Sequence, residues 1–381
     1  YDTKAKKAAH PEVTCYAESK DGIHWTKPKL GLFEFNGSKE NNIVRDGIGT
    51  HCFVAFKDGN PKCPPEARYK GIARGRPVGK KGLYIYESPD GIQWKLMRND
   101  PVITEGAFDS QNLAFWDAYT RQYREYHRTF VNGVRAIMTG TSSDFIHWTK
   151  PMLITYQEGI PLQHLYTNAV QPYMRAPHML IGFPTRYLPE EGQRVEPTLM
   201  ISRDGGHFHR WLEPVVPESA PKDRGGNRSN YMAWGVVEIP GHPNHLSVYA
   251  TEAYYTGPSS RVRRFEYRKD GFVSIRAGAE PGTLITKPIK LGRLAERLTV
   301  NFLTHKGGDI RVGIEEANGK VIADYSPADC KTLQGDSLSQ NVTWKSGADI
   351  SHLRRKYPVV RLRFELKKAD LYSMQFQPWL R

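Results

Sequence analysis

The stretch Ser19-Lys-Asp21-Gly22-Ile-His-Trp25 decides the fold of this chain, because it recurs. Later copies are Ser88-Pro-Asp90-Gly91-Ile-Gln-Trp94, Ser142-Ser-Asp144-Phe145-Ile-His-Trp148 and Ser202-Arg-Asp204-Gly205-Gly-His-Phe208, with a degenerate fifth copy at Tyr267-Arg-Lys-Asp270-Gly271-Phe272. The aromatic residues that end the copies are separated by 69, 54, 60 and 64 residues. A unit of about 60 residues has room for four strands and their loops, which is one propeller blade. The repeat therefore predicts a five-bladed β-propeller.

Each copy of the repeat predicts a tight hairpin turn. An Asp-Gly pair favours such a turn because glycine adopts a positive φ easily. The Ser and Asp side chains can bond to the amides of the turn. Between the copies lie short aromatic or β-branched runs, such as residues 112–116 and 245–249, which favour strands. No amphipathic helix of about 12 or more residues is predicted here, so the fold class is all-β.

The pattern changes after the fifth copy of the repeat. Pro281-Gly282 and Lys287-Pro288 indicate a linker, and later runs such as residues 359–364 alternate with period two. We predict a β-propeller over residues 1–278 and a β-sandwich over residues 283–378. The first copy follows only 18 residues, so we expect the innermost strand of blade 1 to be absent from this chain.

The chain carries 54 Lys and Arg against 40 Asp and Glu, a formal net charge of +14. Such a charge favours solubility or an anionic partner. An anionic glycan is one interpretation. Nucleic acid is another, but the basic residues are dispersed and no nucleic-acid module is present, so we expect no nucleic-acid partner. No apolar run approaches the ~18 residues of a membrane span.

The four cysteines form no CxxC pair, which disfavours a structural zinc site. No cluster has metal-ligand spacing, so we expect neither metal nor cofactor, although Ca²⁺ on a propeller axis stays an alternative. We expect a periplasmic or secreted bacterial protein, with no signal peptide in this chain. The oligomeric state is left open.

The repeats, followed by a strand-rich region, resemble the five-bladed propeller glycoside hydrolases. These include the invertase-like and arabinanase-like families, of which the invertase-like, family-32-type enzymes carry a C-terminal β-sandwich. Residues 108–117 and 165–172 also resemble bacterial proteins known as invertase-like hydrolases. The resemblance implies an active site in the central funnel, built from acidic residues at the starts of innermost strands. Glycoside hydrolysis requires an acid for the leaving oxygen and a carboxylate as nucleophile or base.

The resemblance implies four catalytic candidates. Asp109 matches the transition-state-stabilising aspartate, whereas Asn168 occupies the place of the general-acid glutamate and cannot donate a proton as a carboxylic acid does. The acid is then expected from Glu196 or Glu252, with Asp46 as base or nucleophile. The nucleophile's usual strand falls before residue 1. The competing interpretation makes the aspartates turn residues and the glutamates ion-paired ones.

The other candidates are polar or aromatic residues near the predicted funnel. Arg128 and Arg186 suit carboxylate or sulfate groups, or else form inter-blade ion pairs. His51 and His164 are candidate bases or ion ligands, although a lone histidine is more often structural. Substrate binding is further predicted at blade starts and on aromatic faces: Gln111, Asn112, Tyr166, Asn168, Arg228, Asn230, Tyr231 and Trp234.

The functional prediction is a glycoside hydrolase that acts on a plant or algal oligo- or polysaccharide, anionic or neutral. Two alternatives stay open. A polysaccharide lyase would use a Tyr or His base with an Arg that neutralises a uronate, which fits the positive charge. A non-catalytic glycan-binding propeller would fit Asn168 and the missing strand of blade 1.

Overall fold

The structure is a computed structural model that describes residues 10–75, 79–216, 230–252 and 261–379. Strands account for 47% of these residues and helices for 4%, so the all-β prediction is confirmed. The chain forms two compact units. The first runs to Pro240 and includes Ser247–Phe265, and the second contains Gly241–Leu246 and the residues from Glu266 onward. The predicted domain bounds and the number of blades stay predictions.

Two sheets of the first unit have four antiparallel strands in chain order, as a propeller blade does. We number the sheets in chain order and count the pair Thr14–Cys15 and Ile43–Arg45 as the first. The strands of the second sheet are Val54–Lys57, Tyr69–Arg74, Leu83–Ser88 and Lys95–Leu96. The strands of the third sheet are Leu113–Asp117, Gln122–Val131, Val134–Ser142 and Met152–Leu153. In both sheets the repeated turn joins the third strand to the fourth.

The fourth sheet follows the same plan with additions. Its strands are Gln171–Tyr173, Ala176–Gly182, Met200–Ser202 and His207–Arg210, and Thr155–Tyr156 pairs in parallel with the last. A side sheet contains His164–Leu165, Thr185–Leu188 and Arg194–Pro197. The fifth sheet pairs His245–Glu252 with Arg261–Arg268, and single bridges tie Met232 to Ala250 and Val237 to Ser247.

The short strand Ile43–Arg45 precedes the second sheet but is not part of it. Ile43–Arg45 pairs instead with Thr14–Cys15, and the four-stranded sheet begins at Val54. Gly47 and Gly49 adopt left-handed conformations with φ of 84° and 80°. Because these glycines turn the chain away from the strand direction, the strand ends at Arg45.

The repeated turn has the predicted chemistry. In the second sheet, Ser88 Oγ accepts from the amide of Gly91 at 2.9 Å, and Asp90 Oδ1 accepts from the amides of Ile92 and Gln93 at 2.8 Å. The other three full copies repeat these bonds. The residue after the aspartate has a positive φ in each, even where it is Phe145, at 70°. Hydrogen bonds from the side chains therefore hold this conformation with or without glycine.

The core of the first unit lies between its sheets and is built from strand residues such as Phe56, Leu113 and Phe208 with the turn residue Phe145. These side chains are no more than 6% exposed. A hydrogen bond from Tyr249 Oη to the carbonyl of Gly22, at 2.6 Å, also joins the fifth sheet to the first repeated turn.

The second unit is a six-stranded antiparallel sheet with its own core. Its strands are Ile275–Ala277, Gly282–Ile285, Ile289–Lys290, Arg297–Glu316, Asp336–Asn341 and Val359–Gln377. Across the described ranges of both units, the helices are short: Pro65–Ala67, Pro189–Glu191, Pro327–Asp329 and Leu353–Lys356. The two long strands shift register near residues 301 and 304–309, which bends the sheet. The β-sandwich stays a prediction.

Candidate functional site

The segments that precede the first strands of successive sheets contact one another. His51, before the second sheet, contacts Asp109, before the third. The backbone amides of Asn168 and Ala169, before the fourth sheet, donate to Gln111 Oε1 at 3.2 and 2.7 Å. The rings of Tyr166 and Tyr231 lie 5.6 Å apart. Four sheets therefore bring their leading segments to one region of the first unit.

Asp109 lies at the centre of a group of charged side chains that we call the Asp109 cluster: Glu12, His51, Arg74 and Asp109. Asp109 Oδ1 lies 2.9 Å from His51 Nε2 and also accepts from Arg74. The other ring nitrogen of His51, Nδ1, lies 2.8 and 2.9 Å from the two oxygens of Glu12. One imidazole thus bridges two carboxylates.

The Asp109 cluster is open to solvent. The side chains of Asp109 and Glu12 are 66% and 53% exposed, although Arg74 is largely buried. Partial burial raises the pKa of Asp109, but the charges of Arg74, His51 and Arg128 outweigh this effect and lower its pKa below the ordinary value. Asp109 is therefore an accessible, ionised carboxylate at neutral pH.

Cys52 lies within this charged neighbourhood and was not predicted to belong to the site. Its backbone has a φ of 54°, an uncommon conformation for a non-glycine residue. Burial raises the pKa of its thiol to about 12, and the charges of Asp109 and Arg74 act on it in opposite directions. The thiol is thus protonated at neutral pH and is a poor nucleophile.

Three predicted site residues hold the backbone in place. Asn112 is fully buried, and its side-chain amide donates to the carbonyls of Phe108 and Ser110 at 2.9 and 2.8 Å. Gln111 receives the two amides of the fourth sheet described above. Asn168 is 1% exposed and accepts from the amide of Val170 at 3.3 Å. These contacts position the leading segments, and Asn168 has little surface to offer a ligand.

A second group lies beside the Asp109 cluster, and we call it the arginine–tyrosine cluster: Arg128, Arg135, Tyr166 and Tyr187. The guanidinium carbons of Arg128 and Arg135 lie 5.2 and 4.8 Å from the centre of the Tyr166 ring, and Arg135 also lies 5.0 Å from Tyr187. His164 Nδ1 accepts from the Arg135 amide at 3.2 Å. Burial and the Arg135 charge lower the pKa of His164, which keeps this imidazole neutral.

Two predicted acids are paired within the protein. Glu196 is 3% exposed and bonds to Arg186, its cross-strand neighbour, with Arg194 at 3.6 Å. Arg186 is therefore committed to an ion pair, but within its own sheet rather than between blades as the alternative interpretation had it.

Glu252 is fully buried, and its carboxylate meets Arg261 Nε at 2.8 Å and Arg263 Nε at 2.6 Å. Burial raises the pKa of Glu252, but the two arginines lower it below the ordinary value. A buried carboxylate that stays ionised does not suit the role of general acid.

The remaining predicted residues lie apart from the two clusters or outside the described ranges. Asp46 is exposed and accepts from the amide of Gly47 at 2.7 Å, as a turn residue does. Trp234 packs on the core and donates to the carbonyl of Val170 at 2.8 Å. Asn230 is 1% exposed. Arg228 lies outside the described residues.

Sequence reasoning missed Glu12, Arg74, Cys52 and Arg135. Glu12 and Arg74 lie 39 and 35 residues from the partners they meet, and no periodicity connects them. Arg135 is the second residue of the strand Val134–Ser142, and no motif in the sequence includes it. Only Cys52 had a local signal, since it follows His51 directly.

No group of three or more His, Cys, Asp or Glu residues in the described ranges is arranged to hold a metal ion; Ca²⁺ on the propeller axis stays an untested alternative. Within those same ranges, no helix has the length and apolarity needed to cross a membrane.

No protein-family model and no curated protein matches the chain. The solved structures that match it include an endo-arabinase from Bacteroides thetaiotaomicron, with 12% identity and a TM-score of 0.44 over 67% of this chain and 86% of that one. A β-1,2-mannobiose phosphorylase from Listeria innocua matches with 15% identity and a TM-score of 0.46 over 66% and 65%. An N-acetylgalactosamine deacetylase from F. plautii matches with 13% identity and a TM-score of 0.41 over 66% and 80%. Similarities of this size assign neither a substrate nor a reaction to this chain.

Proposed function

We propose that this protein is a carbohydrate-active enzyme that hydrolyses glycosidic bonds at the Asp109 cluster. The observation that carries the proposal is the row Glu12–His51–Asp109, in which two exposed carboxylates meet opposite nitrogens of one imidazole. Glycoside hydrolysis needs a proton donor and a carboxylate within one site. The row supplies both kinds of group.

The contacts of the row suit proton transfer. Each ring nitrogen of His51 faces a carboxylate, and imidazole and carboxyl groups both bind and release protons. The row can therefore hold a proton and pass it to a leaving oxygen.

The roles within the row follow from the environment of each group. Because Arg74 keeps Asp109 ionised, Asp109 is assigned to the carboxylate that faces the positive charge of an oxocarbenium-like transition state. The proton for the leaving oxygen then comes from His51 or Glu12. This arrangement replaces the acid that Asn168 cannot supply.

The aromatic side chains next to the row suit a sugar ring. The ring of Tyr166 contacts two other tyrosine rings edge to face. The centroid distance is 6.1 Å to Tyr187 and 5.6 Å to Tyr231. All three are half-buried. Tyrosines present an apolar face and a polar hydroxyl together, the combination that a sugar face and its hydroxyl groups require.

One observation favours a second candidate reaction, elimination by a polysaccharide lyase. Arg128 and Arg135 flank Tyr166, and an arginine that neutralises a uronate beside a tyrosine or histidine base is the arrangement such a reaction needs. This candidate differs from hydrolysis in its product, since elimination leaves a double bond in the new sugar end.

The test is an assay of the full chain against plant and algal polysaccharides, followed by two readouts in the same sample. We expect reducing ends to appear without new absorbance at the ultraviolet edge. If absorbance rises in step with the reducing ends, the reaction is elimination and the hydrolytic proposal is wrong. If neither signal appears while the protein binds a glycan, the protein is a binding module and the enzymatic proposal is wrong.

A further inference from the structure

Two arginines of the third sheet lie close together without a carboxylate of their own. Among the residues that the structure describes, neither Arg128 nor Arg135 forms an ion pair within 4.0 Å. The Nε groups of both arginines are buried, and no described residue accepts a hydrogen bond from them. Burial of a guanidinium such as that of Arg128 without an opposite charge is costly, so this arrangement calls for an anion.

Arg128 is the more enclosed of the two. The residue is 6% exposed, and its guanidinium faces Asp109 and Tyr166. Burial lowers the pKa of Arg128, and the like charge of Arg135 adds to this effect. Both guanidinium groups lie over the Tyr166 ring. Arg128 also forms a hydrogen bond with the Tyr166 side chain, and Arg135 Nη1 contacts His164 Nδ1 at 3.3 Å. The other N–H groups of the two arginines are the ones that an oxyanion would bind.

The charge balance of the region points the same way. The Asp109 cluster and the arginine–tyrosine cluster contain two acidic groups, Glu12 and Asp109, and three arginines, Arg74, Arg128 and Arg135. The arginines alone therefore outnumber the carboxylates by one. Arg186 and Arg194 are already paired with Glu196 and Glu191 and add nothing to this excess. A neutral sugar would leave the excess charge uncompensated.

We infer that Arg128 and Arg135 bind the carboxylate or sulfate group of an acidic sugar, next to the Asp109 cluster. The inference rests on the proposed function in taking the ligand to be a glycan. Carboxylate and sulfate both offer the paired oxygens that guanidinium groups bind. The positive charge of the whole chain, +14, then attracts the substrate from a distance.

The test measures equilibrium binding of single sugars by calorimetry at low salt, where charge interactions are least screened. The probes are D-galacturonate, its neutral methyl ester and galactose 6-sulfate. None of them contains a bond between two sugars, so the measurement is independent of hydrolysis. We expect galacturonate, galactose 6-sulfate or both to bind at least about tenfold more tightly than the methyl ester. Preference for one of them identifies the anion.

Variants then locate the binding. Arg135→Gln and Arg128→Gln should each remove most of the roughly tenfold preference. Arg135 is half-buried, so its replacement avoids the folding risk at Arg128. Arg121→Gln is the matched control, because Arg121 is an exposed arginine in the turn at the other end of the same sheet, and it should keep the preference.

Equal binding of the acids and the methyl ester, or no binding of any probe, would overturn the inference. So would an unchanged preference in Arg135→Gln. If the acids are preferred but no polysaccharide is cleaved, the inference stands and the proposed reaction fails. If neutral glycans are cleaved and no acid is preferred, the proposed reaction stands and the inference about the two arginines fails.

Discussion

The Asp109 cluster and the ion pairs of Glu196 and Glu252 contain the same kinds of groups in different surroundings. Each carboxylate meets at least two basic side chains. Yet the side chain of Asp109 is 66% exposed, whereas those of Glu196 and Glu252 are 3% and 0% exposed. Only Asp109 can therefore touch a substrate without a change of structure.

The difference shows that the partners of a carboxylate do not by themselves identify a site. At Glu196 and Glu252 the arginines compensate a charge that is removed from water, which any buried carboxylate requires. At Asp109 the basic groups surround a carboxylate that water already solvates, so they are not needed to offset a cost of burying its charge. The open cluster thus has charges to use in binding or catalysis, and the closed pairs contribute to the stability of the fold.

The largest effect is expected from breaking the closed pair at Glu196. Glu196→Ala leaves Arg186 and Arg194 without their buried partner and should lower the free energy of unfolding by about 3–5 kcal/mol. Urea denaturation measures it. Glu191→Ala is the control, since Glu191 is 51% exposed and pairs with the same Arg194; its loss should stay within about 1 kcal/mol. Equal losses of unfolding free energy in the two variants would contradict the claim that the buried ion pair contributes more to stability than the exposed one.

A smaller effect, which depends on pH, is expected at Glu252. Its pKa is lowered in the folded state, so its ion pairs stabilise the fold above the unfolded-state pKa of about 4.3 and lose this contribution as the pH falls through the folded-state pKa. We therefore expect the stability difference between the wild type and Glu252→Gln to be greatest near pH 7 and to shrink below about pH 4. The measurement is denaturation of both proteins at a series of pH values. A difference that stays constant down to pH 3 would refute an ion-pair contribution.

The fold was more predictable than the site because its signals are local. The Ser, Asp and aromatic residues of each repeat bond within seven residues of one another, so the sequence displays the whole turn. Asp109 was also predicted, because it matches a catalytic aspartate of the families that the chain resembles, and His51 was predicted as a candidate base or ion ligand. Glu12 and Arg74 reach the same cluster only through pairing of strands far apart in the chain. Their register is set by tertiary packing, which composition and spacing do not reveal.

Asn168 illustrates the limit of the resemblance. The resemblance implied that a general-acid glutamate should occupy this position, and the amide of Asn168 cannot take that role. In the structure Asn168 is buried and takes part in hydrogen bonds that join two sheets. An amide can donate and accept in the same place, whereas a buried carboxylate only accepts when ionised. The residue type therefore suits a structural role at that position.

The most direct measurement compares turnover by Asp109→Asn and Asp100→Asn on whichever glycan the wild type cleaves. Asp100 is a matched control, because its side chain is 62% exposed and lies 2.6 Å from a single Lys80. We predict that Asp109→Asn lowers kcat by at least ~10²-fold with unchanged stability, while Asp100→Asn retains wild-type turnover. Wild-type turnover by Asp109→Asn would contradict the assignment of catalysis to this cluster.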